Sequence, residues 1–424
     1  MCRSSFFQVL FIVALFFAAC TQNSDIKTAK ASLSPEQIVA SLPKLLDRHE
    51  AIRNGKEWDD VQNFYGTQRQ AIIVDQNALE PRLKLAELFI QEARVTGEHP
   101  HYYPAALQML EEVLTRIPQE DISTLKIGQK DILFRTLAAK ASVQLSLHDF
   151  SNALITASKA VEINPNNAQI YGALVDANVE LGNYPKAVEM ADKMVSIRPD
   201  LRSYSRVSYL REIHGDVPGA IEALDMAIKA GYPGQEATAW ARLTLGHIHQ
   251  TYGDWKRAEM QYQMILSERA DYPFAIAALA EVEMHKKNYA KAEELLKKAC
   301  AIIPEVGFYE KMAILYRETG RSVEAEALLP KILTMMQEDT DKSHNMSLEM
   351  AAFYLELKPD FDKALQYALG EYAKRPTNID VNRLLARIYA AKKDMAKAKE
   401  HYAKATITHS MHPQLLELKK MLEG

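Results

Sequence analysis

Twelve histidines and three cysteines are the residues of this 424-residue chain best suited to catalysis or metal binding, and their spacing limits what they can do. His247 and His249 lie two positions apart in a helical stretch, so they point to different faces and not toward one metal ion. His99 and His101 belong to the segment HPHYY; a metal site is one interpretation of this segment, and a surface loop is the favoured one. The sequence contains no His-Glu-x-x-His or Cys-x-x-Cys motif, no phosphate-binding glycine loop and no nucleophile elbow. We therefore predict a protein that is not an enzyme, with no catalytic residues, no metal and no cofactor.

Cys20 ends an apolar segment at the start of the chain. The stretch from Phe6 to Ala19 follows a single cationic residue, Arg3, and is shorter than the roughly 20 residues that a membrane-spanning helix needs. Residues 1–19 are therefore predicted to be a signal peptide. Residues 17–20, FAAC, resemble the lipobox of bacterial lipoproteins, although phenylalanine stands where leucine is usual. An ordinary cleaved signal with an incidental cysteine is the alternative.

The lipobox resemblance implies that Cys20 is lipidated and becomes the first residue of an exported protein. A triacylated cysteine, carrying palmitate, would anchor the protein stably to a bacterial membrane. Residues 20–34 are small and polar, and we interpret them as a flexible tether. Because Thr21 and not an acidic residue follows the cysteine, the resemblance favours the outer membrane, with the periplasmic and surface sides both open. Cys300, flanked by alanines, is interpreted as a small core residue.

A repeat in the sequence predicts the helices that must position any functional site. Eight alanines recur at steps of 33–39 residues: Ala153, Ala187, Ala220, Ala258, Ala292, Ala325, Ala364 and Ala398. Twelve positions before them stand mostly small residues: Ala141, Val175, Ser208, Gly246, Ala280, Ala313, Ala352 and Ala386. A fixed period in this range indicates a solenoid of stacked helical hairpins, in which small facing residues let the two helices approach closely.

This pattern resembles the tetratricopeptide repeat (TPR) family, which has small residues at its eighth and twentieth positions. Aromatic residues precede several of the recurring alanines by three positions, and prolines follow them by twelve, as in Phe150 and Pro165. The resemblance implies an all-α fold, a right-handed superhelical solenoid of antiparallel hairpins. We predict a degenerate helical, TPR-like region at 35–133, eight TPR units at 134–412 and a capping helix at 413–424.

In the resembled family the first helix of each unit lines a concave groove, and the equivalent positions can be read from this chain. Ten of them form the predicted partner-binding groove: Arg202, Tyr209, Trp240, His247, Phe274, Glu281, Arg317, Phe353, Arg383 and Arg387. Asp176, Glu180 and Glu212 complete the mapped set. Aromatic and arginine side chains dominate the energetics of protein interfaces, and arginines suit the carboxylates of a peptide. Packing between neighbouring repeats is the alternative for the three large aromatic residues.

The predicted function is a membrane-anchored interaction scaffold or adaptor of the bacterial cell envelope, with other envelope proteins as partners. The net charge of −4 is small and its acidic and basic residues alternate, so we predict no nucleic-acid partner. Two alternatives stay open: a lipoprotein that binds a glycan or another ligand, and a non-catalytic subunit of a membrane enzyme complex. A deep pocket lined by tryptophan or tyrosine would favour the first, and co-purification with an enzyme the second.

Overall fold

A computed structural model describes residues 34–53, 55–118 and 122–423. In this part of the chain every regular element is helical and no β-strand occurs, so the all-α prediction is confirmed. The predicted signal peptide, Cys20 and nearly all of the tether lie outside the described residues. Among the described helices, none is both long and apolar enough to cross a membrane.

Four α-helices precede the regular array in the described residues. They are α1 (Pro35–Ser41), α2 (Lys56–Val74), α3 (Glu80–Thr96) and α4 (His99–Leu114), with short 3-10 turns at Glu50–Ile52 and Ile122–Thr124. Helices α3 and α4 form an antiparallel hairpin of their own. The segment HPHYY is therefore the first turn of α4, and the prediction of a surface loop there is wrong. A proline at the second position of this helix is tolerated because the first backbone N–H groups need no partner within the helix.

Eight further hairpins and a final helix follow in the described residues. The first four pairs are α5 (Ile127–Ser146) with α6 (Phe150–Ile163), α7 (Ala168–Glu180) with α8 (Tyr184–Ile197), α9 (Leu201–Ile213) with α10 (Val217–Ala230), and α11 (Glu236–Thr251) with α12 (Trp255–Glu268). The next four are α13 (Pro273–His285) with α14 (Tyr289–Ile302), α15 (Val306–Glu318) with α16 (Ser322–Asp341), α17 (Ser347–Glu356) with α18 (Phe361–Lys374), and α19 (Ile379–Ala391) with α20 (Met395–Ala405). Helix α21 (Pro413–Glu423) packs on the last pair through Leu415, Leu418 and Leu422.

The recurring alanines lie where the two helices of each hairpin meet. All eight are fully buried, with no exposed surface. In the third hairpin the hydroxyl of Ser208 donates a hydrogen bond of 2.8 Å to the carbonyl of Ala220, so the two small positions touch directly. In the fourth, a Cβ added to Gly246 would lie 2.2 Å from the ring of Tyr262. The small residues are therefore required by the closeness of the helices.

Successive turns of the solenoid also contact one another. The hydroxyl of Thr377 donates to the carbonyl of Leu181 at 3.0 Å, and the amide of Ile379 donates to the Tyr184 hydroxyl at 2.8 Å. A Cβ on Gly182 would meet backbone atoms of Thr377 at 2.5 Å. Residues about 195 positions apart in the chain thus face each other across one superhelical turn. First helices of successive hairpins also contact one another, as α7 does α9 and α17 does α19, and we call the side of the array that they form its inner face.

The N-terminal region joins this arrangement by packing on the middle of the array. Ile52 and Val95 belong to the same apolar cluster as Ile276 and Ile303. A Cβ on Gly97, which caps α3 with a left-handed conformation (φ 71°), would contact Ile303 at 3.6 Å. The start of the described chain is therefore held against the fifth hairpin and is not a free extension.

Candidate interaction surface and inter-turn junction

Aromatic side chains from three neighbouring first helices form a continuous contact on the inner face. Trp240 of α11 meets Phe274 of α13 edge-on, with ring centroids 5.8 Å apart. Phe274 meets Phe308 of α15 in the same manner at 5.7 Å. Phe308 is buried, whereas 51 % of Trp240 remains exposed. The structure therefore positions one indole on a packed aromatic base and leaves about half of its surface available to a partner.

Arg202 is the groove arginine whose guanidinium has no hydrogen bond or ion pair among the described residues. It lies in the first turn of α9, which Asp200 caps by accepting from the amides of Arg202 and Ser203. Partial burial and the nearby Arg94 guanidinium lower the pKa of Arg202 from its usual value. A surplus of positive charge at this place favours an anionic group from outside the chain.

The other three predicted groove arginines are neutralised within the chain. Arg383 pairs with Asp380 at 2.8 Å, and Arg387 pairs with Glu356 at 2.8 Å. Arg317 pairs with Glu326 at 3.0 Å and donates to backbone carbonyls at the end of α17. Arg317 and Arg387 connect neighbouring hairpins, whereas the ion pair of Arg383 lies within α19.

Tyr209 lies deeper on the inner face than its exposed surface suggests. Its side chain is 38 % exposed, yet the surrounding helices enclose it enough to raise the pKa of its hydroxyl well above the usual range. The carboxylates of Asp380 and Glu180 lie near and act in the same direction. The inner face is thus a confined space in which charged groups interact more strongly than on an open surface.

His247 and Glu281 lie on adjacent first helices of the inner face. Glu281 pairs with Lys311 at 3.1 Å. His247 contacts the Tyr262 ring edge-on, and burial lowers the pKa of its imidazole. Phe353 differs from both, since it is 1 % exposed and packs in the core beside Tyr354. The structure therefore does not place Phe353 on the groove surface.

The contact between superhelical turns centres on Arg375, a residue that the sequence did not single out. Its guanidinium lies over the Phe150 ring, 4.8 Å from the centroid, and its Nε donates to Glu371 at 2.9 Å. It also pairs with Glu180 of α7 from the first turn. Burial raises the pKa of Glu180 to about 7, and Arg375 opposes this rise. Arg375 is 4 % exposed, so this cluster joins two distant parts of the chain in a buried setting.

A cavity of about 280 Å³ adjoins this cluster. The residues that line it are Leu145, His148, Phe150, Asp176, Glu180, Leu348, Glu349, Arg375 and Asp380. Its lining contains four carboxylates and neither tryptophan nor tyrosine. The Phe150 ring in this lining is covered by the Arg375 guanidinium and is not free to stack on a sugar, so this cavity does not favour the glycan-binding alternative.

A second cluster brings together three groups that could bind a metal ion. One ligand atom of each of His99, Asp339 and His344 lies within 4.8 Å of the other two. Burial lowers the pKa of His99 to about 4, and the Asp339 carboxylate opposes the shift. Both ring nitrogens of His344 and Oδ1 of Asp339 are buried without a hydrogen-bond partner in the described structure. A buried polar group without a partner costs about 1–3 kcal/mol.

Two residues that could also bind a metal ion, His101 and Cys300, do not belong to this cluster. His101 is partly exposed and its Nε2 contacts the Lys44 carbonyl at 2.8 Å. Cys300 is partly buried, and burial raises the pKa of its thiol to about 11, so it stays protonated at neutral pH. The sequence does point to the cluster indirectly: His99 and His344 both lie in segments that interrupt the repeat period.

The fold defines an α-helical repeat protein built from antiparallel hairpins. Residues 381–406, in the hairpin of α19 and α20, match the family model of the tetratricopeptide repeat. The small glutamine-rich tetratricopeptide repeat-containing protein 2 of Saccharomyces cerevisiae is 24 % identical over 204 residues. That match covers 45 % of this chain and 55 % of the yeast protein, so the chain spans about half the length of the curated relative it matches. The TPR assignment is thereby supported, and proteins of this family are generally non-catalytic scaffolds that bind other proteins.

Several solved structures are similar to this chain. PilW, a widely conserved type IV pilus biogenesis factor, is 18 % identical, with 49 % of this chain and 97 % of PilW covered and a TM-score of 0.41. A tetratricopeptide repeat protein from Parabacteroides merdae is 16 % identical, with 69 % and 99 % covered and a TM-score of 0.38. Human IFIT1 with m7Gppp-AAAA is 12 % identical, with 89 % and 94 % covered and a TM-score of 0.46.

Proposed function

We propose that this protein is a lipid-anchored interaction scaffold of a bacterial envelope, which binds an extended segment of a partner protein along its inner face. The observation that carries the proposal is the half-exposed Trp240 on its base of Phe274 and Phe308. Tryptophan is among the residues most enriched at binding hot spots, where truncation costs 2 kcal/mol or more. A rigid indole loses little conformational entropy on binding, because its packing already holds it in place.

Charge gives the partner segment a second feature. Arg202 lies on α9, the first helix of the hairpin before that of Trp240. The Asp200 carboxylate is near its guanidinium, but the guanidinium forms no direct ion pair or hydrogen bond among the described residues. A carboxylate of the partner would form a charge-assisted hydrogen bond there. The expected segment therefore carries an acidic residue and an apolar or aromatic residue, spaced to reach neighbouring first helices.

Crosslinking in cells tests this surface with a matched control. An aromatic photoreactive amino acid, which keeps a ring on the base of Phe274 and Phe308, replaces Trp240 in one variant and Tyr232 in another; Tyr232 is 79 % exposed on the connection between α10 and α11. We expect a discrete crosslinked partner from position 240, weakened at least tenfold by Arg202→Glu, and none from position 232. Equal crosslinking at both positions, or insensitivity to Arg202→Glu, would refute binding on the inner face.

The membrane anchor is tested separately at Cys20. In a bacterium that processes lipoproteins, we expect an alkyne-labelled palmitate to be incorporated into the wild-type protein and not into Cys20→Ala. The variant should also move from the membrane fraction to the soluble fraction. Wild-type protein that takes up no label would overturn the anchor while leaving the interaction surface untouched.

A further inference from the structure

Two interruptions of the repeat, far apart in the chain, come together in the structure. The first is the junction of α3 and α4, where Gly97 ends one helix and His99 begins the next. The second is the end of α16, which runs for 20 residues to Asp341 and is followed by a turn with Ser343 in the left-handed conformation. His99 comes from the first interruption, and Asp339 and His344 come from the second. Two departures from a regular pattern that converge on one place suggest a local role that the repeat itself does not supply.

The geometry of these three side chains suits a small cation. Nδ1 of His344 lies 3.7 Å from Oδ1 of Asp339, and the ligand atoms of all three residues lie within 4.8 Å of one another. Ligands around a tetrahedral zinc ion, at bond lengths near 2.1 Å, are about 3.4 Å apart. Bringing the three ligand atoms to the distances that a bound ion requires therefore takes side-chain movements of about 1.5 Å or less.

The lack of internal partners is the second observation. His344 is 9 % exposed, and neither of its ring nitrogens has a hydrogen-bond partner in the described structure. Oδ1 of Asp339 is buried and unpartnered as well. The Asp339–His344 distance of 3.7 Å is too long for a hydrogen bond, so the two groups do not satisfy each other. Buried donors and acceptors in this state indicate a bound group that supplies the missing interactions.

We propose that His99, Asp339 and His344 bind one zinc-class divalent transition-metal ion. Two imidazoles and a carboxylate are ligands that Zn²⁺ accepts readily, whereas Mg²⁺ and Ca²⁺ prefer oxygen alone. The fourth position is open to water or to His148, whose ring centroid is 4.6 Å from that of His344. Nδ1 of His148 contacts the carbonyl of Asn345 at 3.0 Å, an interaction that orients the ring as second-shell contacts do in metal sites.

A metal ion bound at this site would crosslink the N-terminal region to the repeat array. It joins α4 of the N-terminal region to the end of α16, two elements whose ligands His99 and His344 are 245 positions apart. A metal ion that binds the folded chain and not the unfolded one shifts the equilibrium toward the folded state. Zn²⁺ should therefore hold the N-terminal region on the array.

Metal binding is measured on the full chain, purified in detergent, freed of any affinity tag and stripped with a chelator. We expect about one equivalent of Zn²⁺ or Co²⁺, the visible absorption of four-coordinate Co²⁺, and X-ray absorption scattering from two imidazoles. His99→Ala and His344→Ala should each weaken binding at least 100-fold. His101→Ala is the matched control, since this partly exposed residue stands two positions from His99, lies outside the cluster and should leave binding unchanged.

The results of these measurements either support the proposed metal site or overturn it. Less than a tenth of an equivalent bound by the wild-type chain, or equal affinity in His344→Ala and His101→Ala, would overturn the site. If the alanine variants lose their helical circular dichroism, X-ray absorption of the wild-type chain alone decides, because a shell of oxygen ligands refutes the assignment. Zn²⁺ should also raise the melting temperature of the wild-type chain and not that of His344→Ala. This result is independent of partner binding at Trp240.

Discussion

Replacing Arg375 by methionine should weaken the contact between superhelical turns more than any surface substitution. The change removes the charge but keeps most of the side-chain length over the Phe150 ring. It leaves Glu371, whose side chain is 1 % exposed, and Glu180 without their shared cation. Removing one partner of a buried ion pair typically costs about 3–5 kcal/mol, because the remaining charge stays buried.

Two effects reduce the free-energy cost of Arg375→Met toward the lower limit of this range. Glu371 still accepts hydrogen bonds from Asn345 at 2.7 Å and from Lys374 at 3.0 Å. Glu180 can take up a proton, since burial already raises its pKa to about 7 and the loss of Arg375 raises that pKa further. We therefore expect Arg375→Met to lower the free energy of unfolding by about 3 kcal/mol at pH 8 and by less at pH 5, where Glu180 is neutral.

Hydrogen exchange and urea unfolding measure this effect, with Arg257→Met as the control. Arg257 is largely exposed and pairs only with the nearby Asp254 at 3.3 Å, so its loss should cost less than about 1 kcal/mol. In Arg375→Met, amide protection should fall first in α7, α18 and α19, the helices at the junction. A loss in Arg375→Met no larger than in Arg257→Met, or equal at both pH values, would refute the assigned role.

Three further substitutions test the hairpin contacts and the carboxyl group of Glu310 in α15. Gly246→Ala should destabilise the chain by about 1–3 kcal/mol, because its Cβ would lie 2.2 Å from the buried ring of Tyr262. Gly307 lies in α15, and no atom lies within 4 Å of a Cβ added there, so Gly307→Ala should instead stabilise the folded chain by about 0.5–1 kcal/mol. Thermal unfolding measures both variants. Equal effects of the two substitutions would contradict the close approach of α11 and α12 at Gly246. Burial raises the pKa of Glu310 to about 7, opposed by Lys311, so the folded chain binds a proton there more tightly than the unfolded chain. Its contribution to stability is therefore lost as pH rises from about 4.5 to 7, and Glu310→Gln should reduce the fall in melting temperature between pH 5 and pH 8. An unchanged difference would show that Glu310 does not titrate in this range.

The repeat period predicts the hairpin contacts because they are local. An alanine and its partner twelve positions earlier lie on two helices joined by a short turn, so their contact depends only on helix geometry and turn length. The burial of Ala153 and its seven equivalents bears this out. Positions on the concave side are also local, which is why Trp240 and Phe274 could be placed on neighbouring helices from the sequence.

Contacts between turns depend instead on a sum of small rotations. The angle between one hairpin and the next is not encoded in the period, and an error of a few degrees per repeat changes which residues meet about 195 positions later. Nothing in the sequence near Arg375 or Glu180 marks them as partners. The same reasoning covers Arg387, whose pairing with Glu356 of α17 depends on how adjacent hairpins are oriented.

The fit between turns has a thermodynamic consequence for the inner face. In an open solenoid each repeat touches only its neighbours, so terminal repeats fray and the array unfolds in segments. Here Arg375 and Thr377 contact α7 and the turn after it, and disrupting one turn removes support from the other. Unfolding should therefore be more cooperative than nearest-neighbour contacts allow.

A rigid array also holds Trp240 and Arg202 at a fixed separation before any partner arrives, which lowers the entropy lost on binding. Weakening the junction by Arg375→Met should for this reason reduce crosslinking at position 240, although that position is not part of the junction.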